Sequence, residues 1–320
     1  MKYLYSRVVA TLVLALASAS VMAAYPEQPI TLIHGFGAGG NADSVARIVA
    51  AEMEKRLGQP VIVDPRTGAG GTIASSYVAK SSPDGYTLIM LTGGHTASAA
   101  VRKALPYDPV ADFSMISTVT RFPFVIAVKA DNPAKNLAEL LEKARTDPNG
   151  VTYSSVGVGS TQHLTGELLA STAKVNMLHV PYRGGGAPVM AVLSGDVDVL
   201  IDTVTGAAPQ IQTGALRPLA VTSKETWPLL KNVPTVDATL PGYEVMSWLG
   251  IAGPAGMSRD VVAKLNQTLK TILADPDVQT KLSAIGSEAW YSTPNDMRDM
   301  IADTINQWKK VVSAAKIPLQ

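Results

Sequence analysis

Two stretches of this chain, one in each half, share a design: an apolar strand pattern passes through clustered glycines into an amphipathic helix pattern. They are Thr31-Leu-Ile-His-Gly-Phe-Gly-Ala-Gly-Gly-Asn-Ala-Asp43 and Val151-Thr-Tyr-Ser-Ser-Val-Gly-Val-Gly-Ser-Thr-Gln-His163. Each reads as strand, bare backbone turn and helix start, which commits the chain to an α/β fold. The first turn of such a helix leaves backbone N–H groups without partners, and the helix dipole adds partial positive charge there. Both turns are therefore natural carboxylate or phosphate sites, and two facing clamps imply a ligand gripped between two lobes.

The intervening pattern supports that reading. Ile30 to His34 is a strand, and Asp43 to Leu57 places Val45, Ala46, Val49, Met53 and Leu57 on one helical face before Gly58 ends the helix. Strand 60–63, turn and helix 68–81, and strand 86–91 complete a βαβαβ order, which implies a parallel sheet covered by helices. A strand over 121–129 and a helix over 137–145 mark the first crossover between lobes. The second lobe then carries strands 151–155, 176–180, 197–202 and 216–222, with helices 164–173 and 188–194. A return strand at 246–252 precedes helices 259–274, 276–285 and 294–314. This predicts a discontinuous first lobe, 24–126 with 248–320, a second lobe, 127–247, and hinges near residues 125 and 248.

The first 23 residues stand apart from the fold. Lys2 and Arg7 precede an uncharged apolar run, Val8 to Val21, and Val21-Met-Ala23 supplies the residues a signal peptidase inspects, so cleavage near Ala23 and export are expected. The run is shorter than the ~20 residues of a spanning helix. The chain has no cysteine, hence no disulfide and no acylation site of the lipoprotein kind, and a Gram-negative periplasm fits best. Net charge is +1, from 27 basic and 26 acidic residues, which argues against nucleic acid or an anionic membrane surface as partner. An anionic ligand must then be held by local geometry rather than by bulk charge.

Gly35-Phe-Gly-Ala-Gly-Gly40 also matches GxGxxG after a strand, with Asp64 where a ribose-binding acid would sit, so a dinucleotide-binding enzyme is the alternative from a different class. Export, the second glycine-rich turn and Pro65 after Asp64 weigh against it. The glycines of 68–71 read as turn formers. His34, His95 and His163 fall at strand ends or helix starts, where pocket residues collect, but without the close spacing of a metal site, so no metal is expected. No nucleophile elbow is present, and no catalytic role or cofactor is expected. Asp198 and Asp202 share one strand face, Asp198 reading as structural and Asp202-Thr203 as able to reach the cleft. Trp248, near the return strand, reads as a ligand wall or as core.

The combination Pro29-Ile-Thr-Leu-Ile, Phe36-Gly-Ala-Gly-Gly-Asn-Ala-Asp43, Gly68-Ala-Gly-Gly-Thr72, Pro83-Asp-Gly-Tyr86, Leu105-Pro-Tyr-Asp-Pro109, Pro181-Tyr-Arg-Gly-Gly-Gly186, Asp198 to Asp202, Leu219-Ala-Val-Thr-Ser223, Val233-Pro-Thr-Val236 and Leu240-Pro-Gly-Tyr243 resembles the Bug family across essentially the whole exported chain. These are extracytoplasmic solute receptors of tripartite tricarboxylate transporters. The resemblance implies a two-lobed periplasmic binding protein that closes on a small carboxylate, with membrane transporter subunits as partners and a monomeric state. In the family, the first loop and its counterpart in the second lobe hold one carboxylate through backbone amides, short polar side chains and bridging waters. Carried onto this chain, those are Phe36, Gly37, Ala38, Gly39, Gly40 and Asn41, and Gly157 to His163 with Gly159, Ser160, Thr161 and His163. The family's first loop more often reads Pro-Phe-Pro-Ala-Gly-Gly, so Gly35 and Gly37 here free the backbone. His95, Arg183, Asp202, Thr203 and Trp248 are the candidates for the far end of the ligand. Phe36, Trp248 and the histidines suit a flat ring, so the expected ligand is an aromatic carboxylate such as terephthalate, with an aliphatic di- or tricarboxylate such as citrate as the alternative. A ligand sensor reporting to a membrane kinase would share all of these residues.

Overall fold

The computed structural model describes residues 25–147 and 150–320. The segment read as a signal peptide, residues 1–23, lies outside the described residues. The first sheet holds β1 (Ile30–His34), β2 (Val61–Pro65) and β3 (Thr87–Thr92), all parallel, then β9 (Met246–Pro254) antiparallel to β3. The second holds β5 (Val151–Ser155), β6 (Met177–Pro181) and β7 (Val199–Thr203), all parallel, with β8 (Leu216–Val221) at its far side. The long strand β4 (Phe113–Lys129) belongs to both, giving the path β2-β1-β3-β9-β4-β7-β5-β6, with β8 and β10 (Glu288–Ala289) also on β4.

The change of sheet occurs within two residues of β4. Pro123 still pairs with Met246 of β9, while Phe124 pairs with Thr203 of β7. Proline has no N–H to give a ladder, so Pro123 suits a strand changing partners. The second crossing lies just before β9: the Val245 N–H donates to the Thr222 carbonyl of the second lobe, and Met246 joins the first sheet. β4 begins eight residues before the expected Arg121. Buried Ser117, Thr118 and Thr120 break its apolar pattern, and Ser117 and Thr118 satisfy their hydroxyls locally, on the carbonyls of Thr118 and Trp290.

Helices α1 (Asn41–Leu57), α2 (Thr72–Ala79) and α3 (Gly93–Val101) belong to the first lobe. α4 (Leu137–Thr146), α5 (Thr161–Ala173), α6 (Ala187–Ser194) and α7 (Val204–Gln212) belong to the second. α8 (Arg259–Leu273), α9 (Pro276–Ala284) and α10 (Pro294–Ala314) return to the first, where α10 packs on α3 and β4. Its buried stripe of Met297, Ile301, Ile305, Trp308 and Val312 recurs at helical spacing. Thr293 and Asp296 close a capping box at its start, with Pro294 in the first turn. Sequence reading missed α3 and α7, because Gly93-Gly94 reads as a turn and α7 contains Gly206 and Pro209. None of the described helices is long and apolar enough to cross a membrane.

Candidate functional site

Four helices begin at one place between the lobes. α1 follows Gly40, α3 follows Thr92, α5 follows Ser160 and α7 follows Thr203, each just beyond the C-terminal end of a parallel strand. Their first turns line a small cavity of about 50 Å³. The first lobe lines it with Phe36, Gly40, Asn41 and Ala42, with Thr92 and Gly94, and with Phe122, Ser247 and Leu249. The second lobe contributes Phe124, Val156, Thr161, Gln162, Gly185, Asp202, Thr203 and Gly206. Four positive helix ends pointing at one small space make an anion site out of backbone alone.

Three of these helix ends are capped by side chains. The N–H groups of Gly94, His163 and Gly206 donate to the hydroxyls of Thr92, Ser160 and Thr203 at 3.1, 3.2 and 3.2 Å. Gly40 has no side chain to offer, so the first amides of α1 are the most open to a ligand. Asn41 adds a side-chain donor: it is buried, its Oδ1 accepts from the Ser287 hydroxyl at 3.2 Å, and its Nδ2 has no partner. A buried donor left unpaired costs roughly 1–3 kcal/mol, which a bound carboxylate oxygen would recover. Neither lysine, arginine nor histidine lines the cavity; Asp202 is its one ionisable lining group.

The β1–α1 turn is held from behind by Asp43. Its carboxylate accepts from the Gly39 N–H at 3.0 Å, from Arg47 at 3.1 Å and from the His34 ring at 3.2 Å. Burial alone would raise the Asp43 pKa, but the Arg47 and Gly39 hydrogen bonds outweigh it and hold the group below its usual value. Burial lowers the His34 pKa in turn, so the ring stays neutral at pH 7.

The lobes meet closely around the cavity, and glycine permits it. A methyl group on Gly37 would stand 3.1 Å from the Gly185 nitrogen. Gly70, at φ +67°, would place one 2.9 Å from the Val158 carbonyl oxygen, so this glycine of the 68–71 turn serves the interlobe contact as well as the turn. The Ser98 hydroxyl donates across the gap to the Gly159 carbonyl at 3.0 Å.

Of the residues singled out from sequence, Phe36, Gly40, Asn41, Thr161, Asp202 and Thr203 line the cavity. Gly37, Ala38 and Gly39 form the wall that abuts Gly185 and is anchored on Asp43. Gly159 makes the interlobe bond, and Ser160 is the cap of α5. His163 gives its N–H to that cap, accepts the Gly159 N–H at 3.4 Å on Nδ1 and stacks on His179 at 4.1 Å. Burial pushes the His163 pKa down to about 4, so it carries no charge at neutral pH.

Three expected far-end residues lie elsewhere. His95 gives Nε2 to the Pro109 carbonyl at 2.8 Å, faces the Ser75 hydroxyl with Nδ1, and packs on Tyr107 and Phe113. Burial lowers its pKa to about 4, which makes it a neutral core histidine. Arg183 is exposed in a separate outer recess with Arg102. Trp248 is buried against Met297 and Ile301, because strand alternation turns it away from the cavity that Ser247 and Leu249 face. The aromatic wall comes instead from Phe36, Phe122 and Phe124; the spacing of the two β4 phenylalanines, two apart on one face, was the available signal. As for the dinucleotide alternative, Asp64 is paired with Arg66 at 2.9 Å and Gly184 and Gly185 cover the turn where a pyrophosphate would lie. Among the described residues, no group of three or more His, Cys, Asp or Glu is placed to hold a metal ion.

The family model described as tripartite tricarboxylate transporter family receptor matches residues 45–317. Among solved structures, Rpa4515 of R. palustris with adipate is 35% identical, with a TM-score of 0.89 over 92% of this chain and 99% of that one. The periplasmic binding protein BugD is 33% identical, with a TM-score of 0.88 over 92% and 100%. MatC of Rhodopseudomonas palustris with bound malate is 32% identical, with a TM-score of 0.83 over 90% and 100%.

Proposed function

This chain belongs to the tripartite tricarboxylate transporter receptor family, as a periplasmic solute-binding protein of the Bug kind, and from that premise we propose that it delivers an aromatic carboxylate to such a transporter. The observation that carries the anion reading is the convergence of four helix starts, with the unpartnered Asn41 amide, on a cavity without a cation. Phe36, Phe122 and Phe124, with Leu249 and Val156, favour a flat apolar body between the polar ends. Terephthalate is the dicarboxylate to try, at mildly acid as well as neutral pH, beside the monoacid benzoate. An aliphatic dicarboxylate is the second reading, favoured by the adipate and malate in the related receptors.

In this reading residues 1–23 are removed on export, and the lobes, expected as 24–126 with 248–320, and 127–247, exchange strand partners at Pro123–Phe124 and Val245–Met246. The site residues are those of the cavity wall, with Asp202 and Thr203 at the second-lobe end. Titration calorimetry on residues 24–320 tests it with terephthalate, benzoate, adipate, malate, citrate and NAD. Binding of a benzene carboxylate, with no response to NAD, is the expected result. Binding of adipate or citrate alone overturns the aromatic reading, and binding of NAD alone overturns the receptor.

A further inference from the structure

We propose that Asp202 sets the specificity of the cavity by selecting, at the end of the ligand away from the clamped carboxylate, a group that donates a hydrogen bond over an ionised carboxylate. The inference rests on the reading of the cavity as a carboxylate site.

Asp202 sits at the C-terminal end of β7, 4% exposed, and lines the cavity. Its Oδ1 accepts from the Thr203 N–H at 2.7 Å and from Gln162 Nε2 at 3.4 Å, and the Thr203 hydroxyl also bonds the carboxyl. Oδ2 stands over Gly206, 2.9 Å from where a methyl group on that glycine would be. The elements packed around it bring no positive side chain: β4 offers Val125, α5 offers Gln162, α7 offers Val204 and Gly206, and the first lobe faces the cavity with Asn41, Thr92 and Ser247. The ion pair on the same strand, Lys143 with Asp198, lies four residues back.

The cavity is thus polarised. The helix starts and the Asn41 amide donate, and Asp202 accepts. A ligand ionised at both ends would bring a second negative charge against a buried carboxylate that lacks a counter-ion, an arrangement that low-dielectric surroundings disfavour unless one of the two takes a proton. A hydroxyl in the same place donates to the carboxylate instead of repelling it. Burial has already raised the Asp202 pKa to about 6, so the proton a diacid requires is close at hand in mildly acid solution.

The test compares two matched pairs on residues 24–320: 4-hydroxybenzoate with terephthalate, and 6-hydroxyhexanoate with adipate. Benzoate, which has the clamped carboxylate and nothing at the far end, is the reference. Affinity and proton uptake are measured at pH 6 and pH 8 for the native chain and for Asp202→Asn. At pH 8 the hydroxy member of the binding pair should be roughly tenfold the tighter, and the diacid should gain roughly tenfold at pH 6, with roughly half a proton taken up per ligand because Asp202 is already partly protonated there. Asp202→Asn should abolish both the preference and the pH dependence, each read relative to benzoate on the same chain. A diacid that binds equally at both pH values, without proton uptake and with its ranking unaltered by the variant, overturns the assignment. If benzoate and all four paired compounds fail to bind at either pH, the carboxylate reading falls, and this inference with it.

Discussion

Asp202→Asn should make the ligand-free protein more stable, and only above mildly acid pH. The carboxyl is buried without a cation, and its pKa is raised from 3.8 to about 6. A folded-state value above the unfolded one means that ionisation opposes folding. The penalty is absent below the unfolded pKa, grows as pH rises from about 4 to about 6, and is complete above that. At 1.36 kcal/mol per unit, it reaches about 3 kcal/mol at pH 8. Asparagine keeps an oxygen for the Thr203 N–H and the Gln162 amide while removing the charge. Urea unfolding of both chains at pH 4 and pH 8 measures the difference. The variant should gain about 3 kcal/mol at pH 8 and match the native chain near pH 4. Equal stability at pH 8, or a loss there, would refute the claim that Asp202 is an uncompensated buried acid.

Three further outcomes follow from the geometry. Trp248→Ala should cost about 3–5 kcal/mol of stability by opening a cavity beside Met297 and Ile301, with the ranking of ligands unchanged in competition binding. Asn41→Ala should weaken every carboxylate, benzoate included, by about 1.5–3 kcal/mol in calorimetry, since its unpartnered Nδ2 would serve a charged oxygen. Gly37→Ala should lower affinity roughly tenfold, because the added methyl meets Gly185 where the lobes approach. Scattering profiles with and without ligand would show whether that variant fails to compact.

The two-lobe architecture was legible because its signals are local. A parallel strand followed by an amphipathic helix prints its period on the sequence, and the glycines of 35–40 and 157–159 mark the turns between. The turns that lead into α1 and α5 were therefore legible. The other two helix starts were hidden by the same property that makes them work. α3 starts at Gly93-Gly94, where a side chain would strike Ser247 on the neighbouring β9 and Thr161 across the cleft, and α7 carries Gly206 beneath Asp202. Residues chosen for close approach have poor helix propensity, so the two missing helix starts read as loops. Trp248 misled for a different reason: a lone aromatic says that something is buried, while only the register of β9 on β3 and β4 says which face it takes.

A cavity that binds an anion with helix ends and amides, and with no arginine or lysine, suits a receptor that must also let go. Full ion pairs in a closed, low-dielectric space are hard to break once formed, because parting leaves each charge buried alone. Fixed backbone dipoles have no such partner to strand, and three of the four helix starts here are capped by the Thr92, Ser160 and Thr203 hydroxyls. The same economy explains the placement of Asp202. With no cation in the cavity to compete with, a single acidic group is enough to decide which distal groups are accepted, and its own proton supplies the means of admitting a second acid.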